Sequence, residues 1–433
     1  MNKMKHWHWL LVLAGALGAF VGCQQSELLG QQRQALDFVC PEGCVCTCSG
    51  GTGSAGEAGE TSAGTAGSAG SSGSGGSGGS AGSAGSGGSP PACDLSGYTV
   101  GVWRATEAQP PVSDPDVIGQ GITIDPSSPG TLWVTIHGDD SGLYKSTDCG
   151  ATWTEIGDFY QPMQVRINPE NSDELYVGCG VGLPEENGFY YTDDGGDSWT
   201  RRSFPSETVQ RFDDVYHIDV DPADFSHVLV SFHYPANNQY NASGIEESFD
   251  KGATWTEHAP IAGWSNNYGT SVHFLYDLAT SQGNASTWLY TTQYAGYWKT
   301  TNSGSSWTQV SSAEQAHGGN QVYYGSNGTL YSGAAYHPLK STNNGSSWSS
   351  LGNTSYAYFI AFGGDGTNLY TARVSNGSEA NMNLSTEAAD TTWNQNGPAI
   401  MGGLHEFTKV DPVNHIMYVA AWDDVAVWAV KTQ

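Results

Sequence analysis

Apolar and polar residues alternate in short runs along most of the chain, and helical spacing is absent. One such run, ITIDPSSPGTLWVTI from Ile122, has β-branched and aromatic residues on both sides of a turn rich in Pro, Ser and Gly. This pattern predicts two antiparallel strands joined by a tight turn. Units of this kind recur at intervals of about 50 residues, which suits four short strands in each. The seven units begin at Ile122, Val165, Ile218, His273, Gln321, Phe359 and Phe407.

A second repeat, S/T-x-D/N-x-G-x-S/T-W, falls between these units. Five near-complete copies end at Trp153, Trp199, Trp255, Trp307 and Trp348, and a degenerate copy ends at Trp393. In each near-complete copy the Asp or Asn side chain can accept backbone N–H groups two residues on, and the Gly supplies a positive φ. The repeat resembles the Asp-box, or BNR repeat, of β-propellers. The resemblance implies a structural turn between the third and fourth strands of a blade, without catalytic chemistry.

The two repeats together predict an all-β fold, a single seven-bladed β-propeller of four-stranded blades over residues 93–433. Because the last unit supplies only three strands, we expect residues 98–105 to provide the fourth and close the ring, which leaves no open sheet edge. This closure brings Cys93 near Cys149 in the first box, and we expect a disulfide between them. Cys179 is expected to be unpaired and buried in the second strand of blade 2.

The segments before the propeller indicate export. Residues 1–22 begin with positive charge and continue with an apolar run that is too short to span a membrane, as in a signal peptide. The run ends at Cys23 in a pattern that resembles the bacterial lipobox. The resemblance implies a lipidated Cys23 and an exported lipoprotein at the outer membrane or cell surface. An ordinary signal peptide with an incidental cysteine is the alternative.

Two further segments separate Cys23 from the propeller. Residues 23–48 are rich in cysteine, and a small two-disulfide knot is expected there, with a metal knuckle as the alternative. Residues 49–92 are almost entirely Gly, Ser, Ala and Thr, a composition that predicts a flexible linker. The lipid anchor is then the expected membrane contact.

Charge narrows the classes of partner. The 433 residues include 15 Lys and Arg against 43 Asp and Glu, a formal net charge of −28. Such a chain repels phosphate backbones, so nucleic acid is excluded as a partner. The charge also disfavours the anionic sugar of a sialidase, whose site needs three converging arginines. No cofactor is expected, although a divalent metal at the channel mouth stays an alternative, and a monomer is expected.

Acidic pairs on two neighbouring blades are the candidate catalytic residues. Asp139 and Asp140 of blade 1, and Asp423 and Asp424 of blade 7, follow the second strands of their blades, on the face opposite the boxes. Paired carboxylates there suit general acid and base work or a cation site, and solvated turn residues are the alternative. The stretch DDSGLYKSTDCGATW resembles the first blade of the xyloglucanase family, which implies a catalytic Asp139. That family builds its cleft between two propellers, whereas this chain has one.

Histidines and loop aromatics are the candidate ligand-binding residues. Strand alignment places His217, His273 and Gln321 near the channel mouth, with His405 two residues before an equivalent position. They suit a metal site or the base of a polysaccharide lyase, and hydrogen-bonded strand residues are the alternative. Flat rings in the upper loops suit sugar faces, and packing between loops is the alternative. These rings belong to Tyr234, Trp264, Tyr268, Tyr294 and Tyr336.

These features predict a surface-anchored propeller that binds or cleaves an extracellular carbohydrate polymer, best described as glycoside hydrolase-like and acting on a neutral glycan. The alternative is a non-catalytic propeller that binds a glycan or a protein, because one fold serves many functions. Lesser alternatives are a polysaccharide lyase with a His-rich centre and a sialidase.

Overall fold

The structure, a computed structural model, describes residues 93–433 except for short gaps at 113–117, 139–140, 183–184, 206–207, 278–281, 314–321, 334–337, 352–356, 376–378, 391–393, 402 and 423–426. The described residues form β-strands and turns, with a single 3-10 turn at Ala262–Trp264. Within these ranges no helix has the length and apolar character needed to cross a membrane. Residues 1–92, which include Cys23, lie outside the described part.

Seven blades of four antiparallel strands form a ring, so the predicted β-propeller is confirmed. The chain begins with β1 (Arg104–Ala105) and then runs through the blades in order. Their strands are β2 (Ile118–Ile124), β3 (Leu132–His137), β4 (Gly142–Ser146) and β5 (Thr154–Gly157) in blade 1; β6 (Pro162–Asn168), β7 (Asn171–Cys179), β8 (Gly188–Thr192) and β9 (Thr200–Arg202) in blade 2; β10 (Val215–Asp221), β11 (Asp224–Phe232), β12 (Ile245–Ser248) and β13 (Thr256–His258) in blade 3; β14 (Gly269–Asp277), β15 (Gln282–Thr292), β16 (Gly296–Thr300) and β17 (Thr308–Ser311) in blade 4; β18 (Val322–Tyr324), β19 (Leu330–Ser332), β20 (Leu339–Ser341) and β21 (Ser349–Ser350) in blade 5; β22 (Ala357–Gly364), β23 (Asn368–Ser375), β24 (Glu379–Thr386) and β25 (Asn394–Met401) in blade 6; and β26 (Gly403–Asp411), β27 (Ile416–Trp422) and β28 (Val427–Lys431) in blade 7.

The N-terminal strand completes the last blade. β1 pairs antiparallel with β28, with Arg104 opposite Ala429, so blade 7 takes its fourth strand from the start of the propeller. A disulfide joins Cys93, which precedes β1, to Cys149 of blade 1, with 5.6 Å between their Cα atoms. Cys179 ends β7, where it is buried and unpaired. The start and the end of the propeller are therefore held together in the same part of the ring, at blades 7 and 1.

The repeated turn between the third and fourth strands, here called the box turn, is held by its own side chains. In blade 3 the Asp250 carboxylate accepts the Thr254 N–H and hydroxyl, each at 2.7 Å. Ser248 Oγ accepts the Gly252 N–H at 2.8 Å. Lys251 and Gly252 both have positive φ, at 60° and 81°. Equivalent bonds to the Asp or Asn recur in four other blades, at Asp148, Asp194, Asn302 and Asn343.

Apolar side chains fill the interfaces between neighbouring blades. Each described cluster combines residues of two adjacent blades, as when Leu229 of blade 3 packs with Trp288 of blade 4. The tryptophan that ends each of the five near-complete box turns packs toward the preceding blade. In blade 3, Trp255 contacts Phe189 of blade 2 with ring centroids 5.1 Å apart. The core of the molecule is therefore a circle of interfaces around a central channel.

Candidate functional site

The strand order gives the ring two different faces. The turns between first and second strands and the box turns lie at one end of the strands, here called the box face. The loops between second and third strands, and those that lead into the next blade, lie at the other end, here called the upper face. The first strand of every blade lines the channel. Ligand sites of propellers favour channel mouths, so the predicted residues are located on these two faces and in the channel.

The upper ends of blades 7 and 1 are joined by backbone pairing. Ile118 of β2 pairs with His137 at the end of β3 and also with Trp422 at the end of β27. Because neighbouring strands are about 4.8 Å apart, the ends of β3 and β27 lie about 10 Å from one another. Asp139, Asp140, Asp423 and Asp424 follow these ends in the sequence and lie outside the described residues.

His137 adds no positive charge to this region. Its ring is buried, and its Nε2 is 3.0 Å from the carbonyl oxygen of Pro162. Burial lowers the pKa of His137 to about 3, so the imidazole is neutral at physiological pH. The end of β3 is thus fixed to blade 2 by a neutral hydrogen bond.

Blades 3 and 4 present aromatic rings on the upper face. Tyr234 and Tyr268 lie with ring centroids 6.2 Å apart, and His233 lies within 5.0 Å of both. Tyr294, in the next loop, is 59% exposed, and its N–H donates to Asn267. The backbone N–H of Gln293, next to Tyr294, donates to the carbonyl oxygen of Tyr268, so the two loops are neighbours. We call Tyr234, Tyr268 and Tyr294 the tyrosine patch. Its partly exposed rings have the chemistry that stacks on sugar faces.

A buried carboxylate fixes the loop beneath the tyrosine patch. Asp214 is fully buried and accepts the N–H groups of Val181 and Tyr234. Burial raises the pKa of Asp214 to about 6, and its backbone hydrogen bonds oppose the rise. This residue was missed by sequence reasoning, because its signal is only an acidic pair, Asp213 and Asp214, in a strongly acidic chain.

Of the other two aromatic candidates, one is buried in the core and the other lies outside the described residues. Trp264 is 1% exposed and packs against Tyr290 and Trp307, with ring centroids 4.5 and 5.2 Å away. Its ring is therefore covered by protein, so Trp264 has the packing role that was the alternative to sugar binding. Tyr336 lies outside the described residues.

Two of the predicted channel residues contact one another. His217 of β10 and His273 of β14 lie with ring centroids 4.6 Å apart, and both are buried. His273 Nε2 is 2.9 Å from Ser271 Oγ. Burial, with the nearby His273, holds the pKa of His217 well below its ordinary value, so this ring is neutral. Gln321 lies outside the described residues, and His405 lies on β26 with its side chain outside them.

Charged residues lie deeper in the channel, where sequence reasoning did not place a site. Arg166 of β6 has its Nη2 3.4 Å from His217 Nε2, and Asp219 of β10 accepts the Phe274 N–H at 2.7 Å. Burial raises the pKa of Asp219 to about 6, against the opposing effect of Arg166. Burial and Arg166 lower the pKa of Lys409 on β26 to about 7. The sequence contained a signal for Arg166, Asp219 and Lys409. Each of them lies two residues after the position that the strand alignment places in the channel for its blade.

A cavity of about 270 Å³ lies at the box-face ends of these inner strands. Tyr276 and Tyr324 stack with ring centroids 4.0 Å apart and an angle of 18° between the rings. Lys409 and Gly363 line the same space from blades 7 and 6. Among the described residues, no group of three or more His, Cys, Asp or Glu is arranged to hold a metal ion.

No protein-family model matches the chain. A curated relative, the probable oligoxyloglucan-reducing end-specific xyloglucanase of Neosartorya fischeri, is 27% identical over 193 residues, which are 40% of this chain and 21% of the relative. The match thus spans about a fifth of the relative's length. A solved GH74 xyloglucanase from Xanthomonas campestris covers 78% of this chain and 54% of its own, with a TM-score of 0.56 and 15% identity.

A second kind of protein has a similar structure. YCF48 bound to D1 peptide matches with a TM-score of 0.52 and 15% identity, over 80% of this chain and all of that one. At these identities the structural matches establish the fold. This chain is therefore a seven-bladed propeller similar to GH74 xyloglucanase propellers, with weak sequence similarity to a xyloglucanase.

Proposed function

We propose that this protein is a carbohydrate-active propeller that cleaves a neutral extracellular glycan at the upper face of blades 7 and 1. The residues proposed for catalysis are Asp139 or Asp140 on one side and Asp423 or Asp424 on the other, as general acid and base. The weak similarity to a xyloglucanase over 193 residues supports the substrate class. The acidic surface favours a neutral polymer over an anionic one.

The observation that carries this proposal is the double pairing of Ile118. It holds His137 and Trp422 two strand spacings apart, about 10 Å. Asp139 follows His137 by two residues, and Asp423 follows Trp422 directly. Inverting glycosidases separate their carboxyl groups by about 6.5–9.5 Å and retaining ones by about 5–5.5 Å. The strand ends thus support a site in which carboxylates from both blades serve one substrate within a single propeller.

The tyrosine patch is proposed as the binding surface for sugar residues farther along the polymer. Tyr234, Tyr268 and Tyr294 come from consecutive upper loops, so that an extended chain can contact them in turn. Remote binding energy of this kind orients the bond to be cleaved. Export, lipidation at Cys23 and anchoring at the outer membrane or cell surface belong to the same proposal, and would keep the enzyme beside its polymer.

A second candidate function is the binding of a protein or a glycan without catalysis. The observation behind it is the similarity in fold to YCF48 bound to D1 peptide, a chain that the match covers completely. The two candidates differ in what they require of the acidic pairs. Catalysis depends on Asp139 and Asp423 or their neighbours, whereas binding does not need a pair of carboxylates.

The test is the release of reducing ends from neutral polysaccharides, including xyloglucan, and from anionic ones. We expect the wild-type chain to act on a neutral polymer, and the Asp139→Asn and Asp423→Asn variants to lose about 100-fold or more of the rate, because a general acid or base contributes that much. The same changes at Asp140 and Asp424 identify which member of each pair acts.

Asp158→Asn is the matched control, because it removes one exposed carboxylate from an upper loop of blade 1. It should keep full activity. Full activity in all four variants of the acidic pairs would overturn the proposed site. Glycan or peptide binding by a chain that releases no reducing ends would favour the second candidate.

A further inference from the structure

Backbone strain is concentrated on the upper face around blades 2 and 3. In the described part of the chain, eleven residues other than glycine have a positive φ. Four of them lie in box turns, where the motif requires this conformation, and His415 lies in a turn of the box face. The other six lie in upper loops between β5 and β14, and they are Gln161, Val181, Phe212, Asp213, Asn241 and Asn266. Residues in such conformations cluster at ligand sites, where the surrounding structure maintains them.

Val181 is the most unusual of these six residues. A β-branched residue rarely adopts a positive φ, yet Val181 has φ of 65°. Its N–H donates to Asp214 Oδ1, and it stands between Gly180 and Gly182. A Cβ on Gly180 would lie 2.7 Å from Asp214 Oδ1, so glycine is needed there for the loop to reach the carboxylate. The loop thus holds an apolar side chain, 37% exposed, on the upper face.

Tyr160 lies against the same loop. Its ring packs over Gly182, where a Cβ would lie 2.7 Å from Tyr160 Cδ1, and the residue is 42% exposed. The buried Asn187 fixes the loop, because its Oδ1 accepts the Gly182 N–H at 3.0 Å. The Asn187 Nδ2 group donates to the Phe212 carbonyl, also at 3.0 Å. Tyr160 and Val181 are therefore partly exposed apolar side chains on a loop that buried polar groups hold in place.

Asp214 joins this loop of blade 2 to the tyrosine patch. Its Oδ1 accepts the Val181 N–H, and its Oδ2 accepts the Tyr234 N–H at 2.9 Å. Because the carboxylate is fully buried, both bonds are charge-assisted and shielded from water. A single side chain thus sets the positions of two neighbouring loops, one that carries Val181 beside Tyr160 and one that begins the tyrosine patch.

We propose that the glycan-binding surface of the upper face continues from the tyrosine patch onto Tyr160 and Val181, and that Asp214 is the positioning residue that holds its two parts in line. This inference rests on the proposed function. Blade 2 lies between the acidic pairs of blades 7 and 1 and the tyrosine patch of blades 3 and 4, so its loop contacts the sugar units in between. The ligand is a neutral polysaccharide, because flat rings suit sugar faces and the charge of −28 disfavours an anionic polymer.

Protonation of Asp214 should weaken this surface. The ionised carboxylate accepts both loop N–H groups, whereas protonation turns one oxygen into a donor, so that one N–H group loses its acceptor. Burial raises the pKa of Asp214 to about 6, so affinity should fall as pH drops through this value. The other titratable or charged groups in the described parts of the loops around Asp214 are Glu185, Glu186, Arg211, Asp213, His233, Tyr234, Tyr240 and Tyr268.

The experiment is calorimetric titration of the full chain at pH 5 and pH 7.5 with oligosaccharides of xyloglucan, galactomannan and cellulose. Binding is measured in an Asp139→Asn background, so that the ligand stays intact if cleavage occurs there. Reducing-end release is measured separately with the wild-type chain. We expect at least one of these neutral oligosaccharides to bind about 10-fold more tightly at pH 7.5 than at pH 5, because a buried N–H group without its acceptor costs that much.

Variants test the two parts of the proposal. Tyr160→Ala should weaken binding about 10-fold, whereas Tyr160→Phe keeps the ring and should keep the affinity. Phe249→Ala is the matched control, because it removes a ring that is 62% exposed on the box face. Asp214→Asn has one acceptor oxygen, like the protonated acid, so it should bind at both pH values as weakly as the parent binds at pH 5.

The outcomes separate this inference from the proposed cleavage. Binding that depends on Tyr160 and Asp214, without reducing-end release by the wild-type chain, would support the surface and contradict cleavage. Release by the wild type, with unchanged affinity in Tyr160→Ala, would contradict the surface alone. Asp214 is not the positioning residue if its Asn variant keeps the pH dependence of the parent or, should that variant not fold, if the parent binds equally at both pH values. Absence of binding to all three oligosaccharides would overturn the whole proposal.

Discussion

Adjacent residues on β12 show how strongly the surroundings decide the behaviour of a carboxyl group. Glu247 lies on the side of blade 3 that faces blade 4, and it contacts His227 and His258 of its own blade, each at 2.9 Å. These bonds hold the pKa of Glu247 below its ordinary value against the effect of burial. Glu246 faces blade 2, is fully buried, and neither of its oxygens has a hydrogen-bond partner. Burial, with Glu257 nearby, raises the pKa of Glu246 to about 8. The first is ionised at neutral pH and the second is protonated.

Replacing Glu246 with Gln should remove a pH dependence of stability. Because the folded pKa is raised above the unfolded value, the native chain keeps a proton that the unfolded chain releases above about pH 4.5. The free energy of unfolding therefore falls as pH rises from about 4.5 to about 8. We expect Glu246→Gln to be more stable than wild type at pH 8 by about 3 kcal/mol, and equal to it near pH 5.

Urea unfolding at pH 5 and pH 8 measures this difference. Glu155→Gln is the control, because it removes an exposed glutamate of blade 1 and should leave the wild-type pH profile unchanged. Parallel pH profiles for Glu246→Gln and wild type would show that Glu246 is ionised in the folded chain.

At the scale of the element, the box turn requires glycine for two reasons, which are a positive φ and a close approach to the preceding blade. Gly252 has φ of 81°, and a Cβ there would lie 2.7 Å from Phe189 of the preceding blade. Gly328, in the tight turn between β18 and β19, has φ of 80°, but a Cβ there meets nothing within 4 Å. The two glycines share a backbone conformation and differ in their surroundings. They therefore separate backbone strain from contact between blades.

Alanine substitutions at these positions should differ in cost. Gly328→Ala should lower the free energy of unfolding by about 1 kcal/mol, from backbone strain alone. Gly252→Ala adds a clash with Phe189 and should cost about 3 kcal/mol in total. Chemical denaturation of both variants measures the difference. Equal losses would mean that Phe189 moves aside freely and that the blade interface tolerates the extra methyl group.

These elements also show where sequence reasoning ended. The spacing of the motif predicted the turn, its carboxylate bonds and the positive φ of its glycine, because all of these are local. It did not predict the contact between Gly252 and Phe189, because that distance depends on how two blades pack. The alignment of the strands carried a signal for Arg166, Asp219 and Lys409 one by one, but their grouping was missed for the same reason. They belong to different blades, and only the closed ring brings them together.

At the scale of the whole molecule, stability depends on how the ring is closed. Blade 7 takes three strands from the end of the described chain and one short strand, β1, from its start. Two residues of β1 pair with β28, which is a short connection for a ring of seven blades. The Cys93–Cys149 disulfide lies beside this connection, between residues 56 positions apart. The covalent bond thus holds the segment before β1 against blade 1, on the other side of the closure.

Removing this disulfide should open the ring at blade 7 before the other blades unfold. We expect Cys93→Ser to lower the free energy of unfolding by about 2–4 kcal/mol, because the unfolded chain loses a cross-link that closes a long loop. Amide hydrogen exchange should rise first in β28, because its partner β1 then has no covalent link to blade 1 and is held by backbone pairing, by the hydrogen bonds between Gln109 and Val427, and by packing of Trp103. Reductant should destabilise the wild type but not Cys93→Ser. Cys179→Ala, which removes a buried thiol, should stay sensitive to reductant. Uniform exchange across all blades would show that the ring unfolds as one unit, whatever holds its ends.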